Sequence, residues 1–227
     1  MKSFHFPALV AGLVLACAAA DGAVITETYN FSGLGLAVPD GNPAGALNSQ
    51  ALTSSIRSID SIQITLSITG AFNGDLYAYV SSESAVSVLL NRTGKTAGDA
   101  FGYGDSGFNV TFDDVATNGN IHTYQATFTP VAGSPLTGTW QPDGRNVNPN
   151  SVTDASPVTA LLSNFHSTSA EGNWSLFVAD LSSGQTHVVE SWGMVITGDT
   201  VPESSSALLL GVAATGSLLK RKRRPAA

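Results

Sequence analysis

The chain has 227 residues, 43% of them apolar and only 12% charged, with 23 glycines; that length buries one core of ordinary domain size, and so few charges exclude a helical bundle. The formal net charge is −7, yet all 17 acidic residues and only Arg57, Arg92, Lys95 and Arg145 as basic ones fall between Asp21 and Glu203, which leaves that stretch near −13. A surface so acidic repels phosphate backbones and excludes nucleic acid as a partner.

Residues 1–20, "MKSFHFPALVAGLVLACAAA", carry Lys2, an apolar run from Phe6 to Leu15 and small residues up to Asp21. This is the layout of a secretory signal peptide, with Ala18-Ala19-Ala20 as the cleavage site. The apolar run is too short to span a bilayer. Cleavage removes Cys17, the only cysteine, so the exported protein has no disulfide and no cysteine metal site. Val14-Leu15-Ala16-Cys17 loosely resembles a bacterial lipobox, which leaves lipidation of Cys17 as the alternative, although Leu15 fits that pattern poorly.

Residues 21–55 read as an N-terminal strand and loop region leading into a sandwich over 56–200. Ile62, Ile64, Leu66 and Ile68 alternate with polar residues, the pattern of a strand with one buried face. Asn73-Gly74 supplies a turn before a second strand that puts Leu76, Ala78 and Val80 on one face. Further strands are predicted over 87–91, 108–112, 122–128, 173–180 and 188–197, with a short helical turn within Pro157–Phe165. Short strands separated by Gly, Asn, Ser and Pro, with no fixed-period repeat, predict an all-β antiparallel sandwich.

The last segment, 201–227, joins Val201-Pro202-Glu203 to an apolar stretch at about 207–219 and the basic cluster Lys220, Arg221, Lys222, Arg223 and Arg224. An apolar helix closed by basic residues stops transfer with its C-terminus in the cytoplasm. The stretch is short for a span, which suits a temporary anchor. This tripartite order resembles the PEP-CTERM sorting signal, with Ser204 where the second proline usually stands. The resemblance implies a C-terminal transmembrane sorting helix, processing by a membrane-embedded exosortase, and passage through the inner membrane to the cell surface or extracellular matrix of a Gram-negative bacterium.

Between them, "GDLYAYV" (74–80), "VLLNRTG" (88–94), "GDSGFNVTFDD" (104–114), "GTWQPDG" (138–144), "LLSNF" (161–165), "GNWSLFVADLSSG" (172–184) and "ESWGMVITG" (190–198) resemble the P domain, or Homo B domain, of proprotein convertases. The match runs from about Ile56 to Gly198. It implies a jelly-roll β-sandwich. In convertases this domain supports a neighbouring catalytic domain and performs no peptide chemistry, so the resemblance implies a non-enzymatic chain.

Gly104-Asp105-Ser106-Gly107 spells a motif that surrounds the nucleophile of chymotrypsin-like proteases, but the only histidine before Ser106 is His5 in the leader, and Phe108-Asn109 follows. A reordered triad of Ser106, Asp180 and His187 is formally open; a turn leading into the 108–112 strand explains the motif more simply. His122, His166 and His187 lack metal-ligand spacing and read as surface or strand-end histidines. Trp174 and Trp192 fall on core faces by alternation, whereas Trp140, in a Gly- and Pro-rich stretch, is the candidate surface aromatic for a sugar ligand. Asp75, Asp105, Asp113, Asp114 and Asp180 sit at strand ends or in turns, where carboxylates can gather into an oxygen-rich Ca²⁺ shell, with Asp113 and Asp114 the first candidates. Solvated acids and Asx turns are the competing reading. Three functions stay open: a structural surface or matrix protein, a carbohydrate-binding or adhesion module acting on extracellular polysaccharide, and a hydrolase or protease accessory.

Overall fold

The period-two patterning becomes nine strands: β1 (Val24–Val38), β2 (Asn42–Leu52), β3 (Ile56–Thr69), β4 (Leu76–Ser81), β5 (Val86–Asn91), β6 (Phe108–Phe112), β7 (Leu136–Trp140), β8 (Gly172–Asp180) and β9 (His187–Thr200). The structure, a computed structural model, describes residues 22–200. The predicted leader at 1–20 with Cys17, and the predicted sorting segment at 201–227, lie outside the described residues. Among the described residues no helix is long and apolar enough to cross a membrane.

The strands form a five-stranded sheet in the order β1-β9-β3-β6-β7 and a four-stranded sheet in the order β2-β8-β4-β5. Neighbours run antiparallel except β6 and β7, which are parallel. Each sheet contributes one apolar face to a common core. From the larger come Ile62, Ile64, Leu66 and Ile68 of β3 and Trp192, Met194 and Ile196 of β9, all at 4% exposure or less; from the smaller come Leu76, Ala78 and Val80 of β4 and Trp174, Leu176 and Val178 of β8, all at 0%. Removing such a side chain from water is worth about 1.5–3 kcal/mol, which is what holds the two open sheets face to face. The protein is therefore all-β with sandwich-like sheets.

Three local expectations are corrected. Residues 122–128 do not form a strand: Ile121–Ala126 is a 3-10 turn, begun where the Asn120 side chain accepts the His122 amide at 3.0 Å. The strand that pairs with the outer side of β6 is β7, whose Gly-containing sequence carries no alternation. Residues 21–55 hold two full strands, β1 and β2, one on the edge of each sheet; β1 half-buries Ile25, Tyr29, Phe31, Leu34 and Leu36 against the core, whereas β2 turns Asn48 and Gln50 to its half-buried face. Trp140 is no surface aromatic. It ends β7 at 1% exposure, donates Nε1–H to the Thr137 carbonyl at 2.9 Å and meets Tyr124 and Phe128 edge-on, both at 6.2 Å. The helical turn expected within 157–165 is present as a 3-10 turn at Leu162–Phe165.

Candidate functional site

Alternation in β4 and β8 sends Leu76, Ala78, Val80, Trp174, Leu176 and Val178 inward, so Tyr77, Tyr79 and Phe177 must face outward. Tyr79 and Phe177 are register partners, with ring centroids 5.0 Å apart and planes at 20°. Tyr77 meets Phe177 edge-on at 6.4 Å and lies 5.9 Å from Tyr79. Pro43 of β2, Ala179, Leu181 and the segment Asn148-Pro149-Asn150 close these rings into a groove of about 410 Å³ with no charged side chain in its lining. The hydroxyls of Tyr29, Tyr103 and Tyr124 are engaged, whereas among the described residues those of Tyr77 and Tyr79 have no hydrogen-bond partner. Burial, then Tyr79 and Asp143, push the Tyr77 phenol above its ordinary pKa, so it stays a neutral donor.

The polar wall of the groove is held from below. Lys95, 7% exposed, donates through Nζ to the carbonyls of Asn150 at 2.6 Å, Pro149 at 3.2 Å and Val152 at 3.4 Å. Asn91, at the end of β5, donates Nδ2–H to the carbonyls of Arg145 at 2.8 Å and Val147 at 3.1 Å. Asp143, fully buried, accepts the Asn91 amide at 3.1 Å, pairs with His122 Nδ1 at 2.7 Å and with Arg145 Nη1 at 3.2 Å. Arg145 reaches on to Asn120 Oδ1 and the Asp154 carbonyl, each at 2.9 Å. Asn148 Oδ1 accepts the Asn150 amide at 2.9 Å, which fixes the turn that presents both residues. A wall ordered before a ligand arrives loses little entropy when one binds.

The five candidate Ca²⁺ carboxylates do not gather into one shell, and among the described residues no group of three or more His, Cys, Asp or Glu is placed to share a metal. Protein donors already occupy them. Asp113 accepts from Gln63 Nε2 at 2.7 Å and the Val115 amide at 3.0 Å. Asp114 accepts the amides of Leu162 at 3.0 Å and Ser163 at 2.7 Å, capping the 3-10 turn there. Asp105 accepts Tyr124 Oη–H at 2.6 Å and Gln125 Nε2–H at 2.7 Å. Asp75 lies 3.7 Å from Arg92 Nη2, and Asp180 pairs with His187 Nδ1 at 2.9 Å. Burial raises the Asp75 pKa first and foremost; the Ser182 hydroxyl opposes the rise, Asp180 adds to it and Arg92 opposes it.

His187 stands at a strand end, the first residue of β9, but is buried, and His122 is corrected from surface or strand end to a buried 3-10 turn. His122 and His187 are both 0% exposed, each fixed by an aspartate; His166 is exposed. His187 Nε2 is buried with no partner among the described residues, and its ring lies against Gly70, where a Cβ would come within 2.5 Å of Cδ2. Asp180 and His187 are thus joined, but among the described residues no hydrogen bond links Ser106 to either. Residues 104–107 form no hydrogen-bonded turn; they lead into β6 as irregular chain. Asn73 Oδ1 accepts the Gly107 amide at 2.7 Å, and Gly107 has φ +80° with the Ile68 carbonyl 2.3 Å from where a Cβ would stand, so only glycine fits. Phe108, Val110 and Phe112 then enter the core as the motif reading requires.

The chain matches no family model and no curated protein. Among solved structures it is similar to the serine protease of Aeromonas sobria, at 14% identity and TM-score 0.41, and to the complex of that protease with the chaperone ORF2, at 13% identity and TM-score 0.41. Each match covers 78% of this chain and 27% of the other, so the chain spans under a third of those proteins' length.

Tyr77, Tyr79 and Phe177, not Trp140, are the outward aromatics, and they lie on strands, not in a loop. Their signal is the alternation itself, which sets three aromatics at solvent-facing positions of adjacent strands.

Proposed function

We propose that this is an exported, non-enzymatic protein of the cell surface or extracellular matrix of a Gram-negative bacterium, its working part a P domain-like jelly roll and its C-terminus a PEP-CTERM-like signal for an exosortase. The reading rests on one observation above others: the acid–base pairs that could do chemistry, His122 with Asp143 and His187 with Asp180, are sealed in the interior at 0% exposure. They tie loops to strands. The layout of Lys2 through Ala20, and of Val201-Pro202-Glu203 through Arg224, supports export and sorting.

Intact mass of the native protein, taken from inner-membrane, outer-surface and medium fractions, tests this. A chain ending near Val201 to Glu203 outside the inner membrane is the expected result. A chain that keeps Lys220 to Arg224 and stays in the inner membrane would replace sorting with permanent anchorage. The hydrolase reading would return only if the purified protein hydrolysed a substrate and Ser106→Ala abolished it.

The second reading, a carbohydrate-binding module, is favoured by the outward aromatic groove on β4 and β8. It moves from Trp140 to Tyr77, Tyr79 and Phe177.

A further inference from the structure

The described residues enclose other depressions, one of about 250 Å³ beside Phe72 and Asp75 and one of about 300 Å³ beside Gln63 and Asp113, and each of these contains a carboxylate. The groove over β4 and β8 differs in having no charged side chain in its lining. Such a lining supplies neither a carboxylate to hold a cation nor a cationic side chain to pair with an anion. What it offers is apolar ring surface, two free phenol hydroxyls and two side-chain amides. Phenols and amides each both donate and accept hydrogen bonds, which is the capacity that a sugar hydroxyl also has. Aromatic side chains supply the apolar contact area, at low cost in side-chain entropy.

We infer that the groove lined by Tyr77, Tyr79, Phe177, Asn148 and Asn150 binds a segment of a neutral polysaccharide, with the rings against the apolar faces of the sugar and the phenols and amides on its hydroxyls. Lys95 and Asn91 act here as positioning residues, since their bonds to the carbonyls of 145–152 set where Asn148 and Asn150 stand. The inference rests on the second reading above and is independent of sorting: the mass measurement can fail while this site stands, and the reverse.

The test is electrophoresis of the full-length protein through native gels containing a neutral β-glucan or a galactomannan, an anionic alginate, or no polymer, with titration of a proline-rich peptide in parallel. Retardation by a neutral polymer and none by alginate is expected. Tyr79→Ala should weaken the association by about tenfold or more, as loss of a central aromatic anchor does. Tyr77→Phe with Tyr79→Phe keeps both rings and removes both hydroxyls, so it carries the test if Tyr79→Ala does not fold; a loss of roughly threefold or more is expected, the size of a modest neutral hydrogen bond. The proposal is overturned if both neutral polymers leave migration unchanged, if alginate retards as strongly, if the folded variants bind like the parent, or if the peptide binds and the glycans do not.

Discussion

Lys95 Nζ stands 2.6 Å from the carbonyl oxygen of Asn150, and the carbonyls of Pro149 and Val152 complete its shell. An ammonium carried on β5's outgoing loop does for the 149–152 segment what a bound cation could do elsewhere, gathering carbonyl oxygens that would otherwise repel. Lys95→Met keeps the length of the stem and removes the charge. It should destabilise the protein by about 2–3 kcal/mol, the scale of hydrogen bonds to a charged donor. A lower urea midpoint at unchanged slope would record it.

Asp143 holds the same loop from its other end, through His122, Arg145 and the Asn91 amide. Asp143→Ala leaves a buried guanidinium without its carboxylate and should cost about 3–5 kcal/mol. Combined with Lys95→Met, the loss should fall short of the sum by more than about 0.5 kcal/mol, because both act on one loop. Additive losses in a double-mutant cycle would mean that the two ends of the wall are independent.

Trp140 at 1% exposure predicts a purely structural phenotype. Trp140→Ala should lower stability by about 3–5 kcal/mol through the cavity it leaves. Below its unfolding temperature the variant should bind a neutral polysaccharide as the parent does. A selective loss of binding with stability intact would return Trp140 to the site.

Glu27 gives the acid response a specific origin. Burial alone would raise its pKa from 4.5, but hydrogen bonds from Ser54, Tyr29 and Ser55 outweigh it and hold it lower. A depressed carboxylate stabilises the fold above its unfolded value and loses that contribution as pH falls through its folded one. Melting temperature followed downward from 4.5 should therefore drop more steeply in the parent than in Glu27→Gln, which starts lower at neutral pH and changes less. Parallel curves would assign the acid sensitivity to other groups.

Because Asp113, Asp114, Asp105 and Asp180 already accept protein hydrogen bonds, the melting temperature should be the same in excess Ca²⁺ and in chelator. Binding to the native state alone would raise it in proportion to the logarithm of free metal. A saturable rise would restore a metal site.

The interior of the sandwich was legible where one strand face is buried and the other is not. Ile62 to Ile68, Leu76 to Val80 and Trp174 to Val178 announce themselves by period, and the structure buries them. β2 escaped because its half-buried face carries Asn48 and Gln50 in place of apolar residues, whereas β1 keeps the period with Ile25, Tyr29 and Phe31 half-buried against the core. His122 and His187 escaped for a different reason: the partners that allow a polar ring to be buried, Asp143 and Asp180, are chosen by tertiary placement. Trp140 sits among turn residues, and only the parallel pairing of β7 with β6 draws it inward. The outward aromatics were visible as residues; that the Asn148–Asn150 segment would fold over their flank depends on Lys95, which no local pattern links to it.

The placement of β9 carries a kinetic consequence. Synthesis makes β9 the last of the nine strands, yet it lies between β1 and β3 and supplies hydrogen bonds to both. Until residues 187–200 have left the ribosome, the larger sheet lacks the strand that joins β1 to β3, and β1 has no neighbour in that sheet. Such non-local pairing is slow, because loop closure precedes any reward. β3, β6 and β7 can pair before β9 exists, but β1 can join its sheet only after β9 has been made.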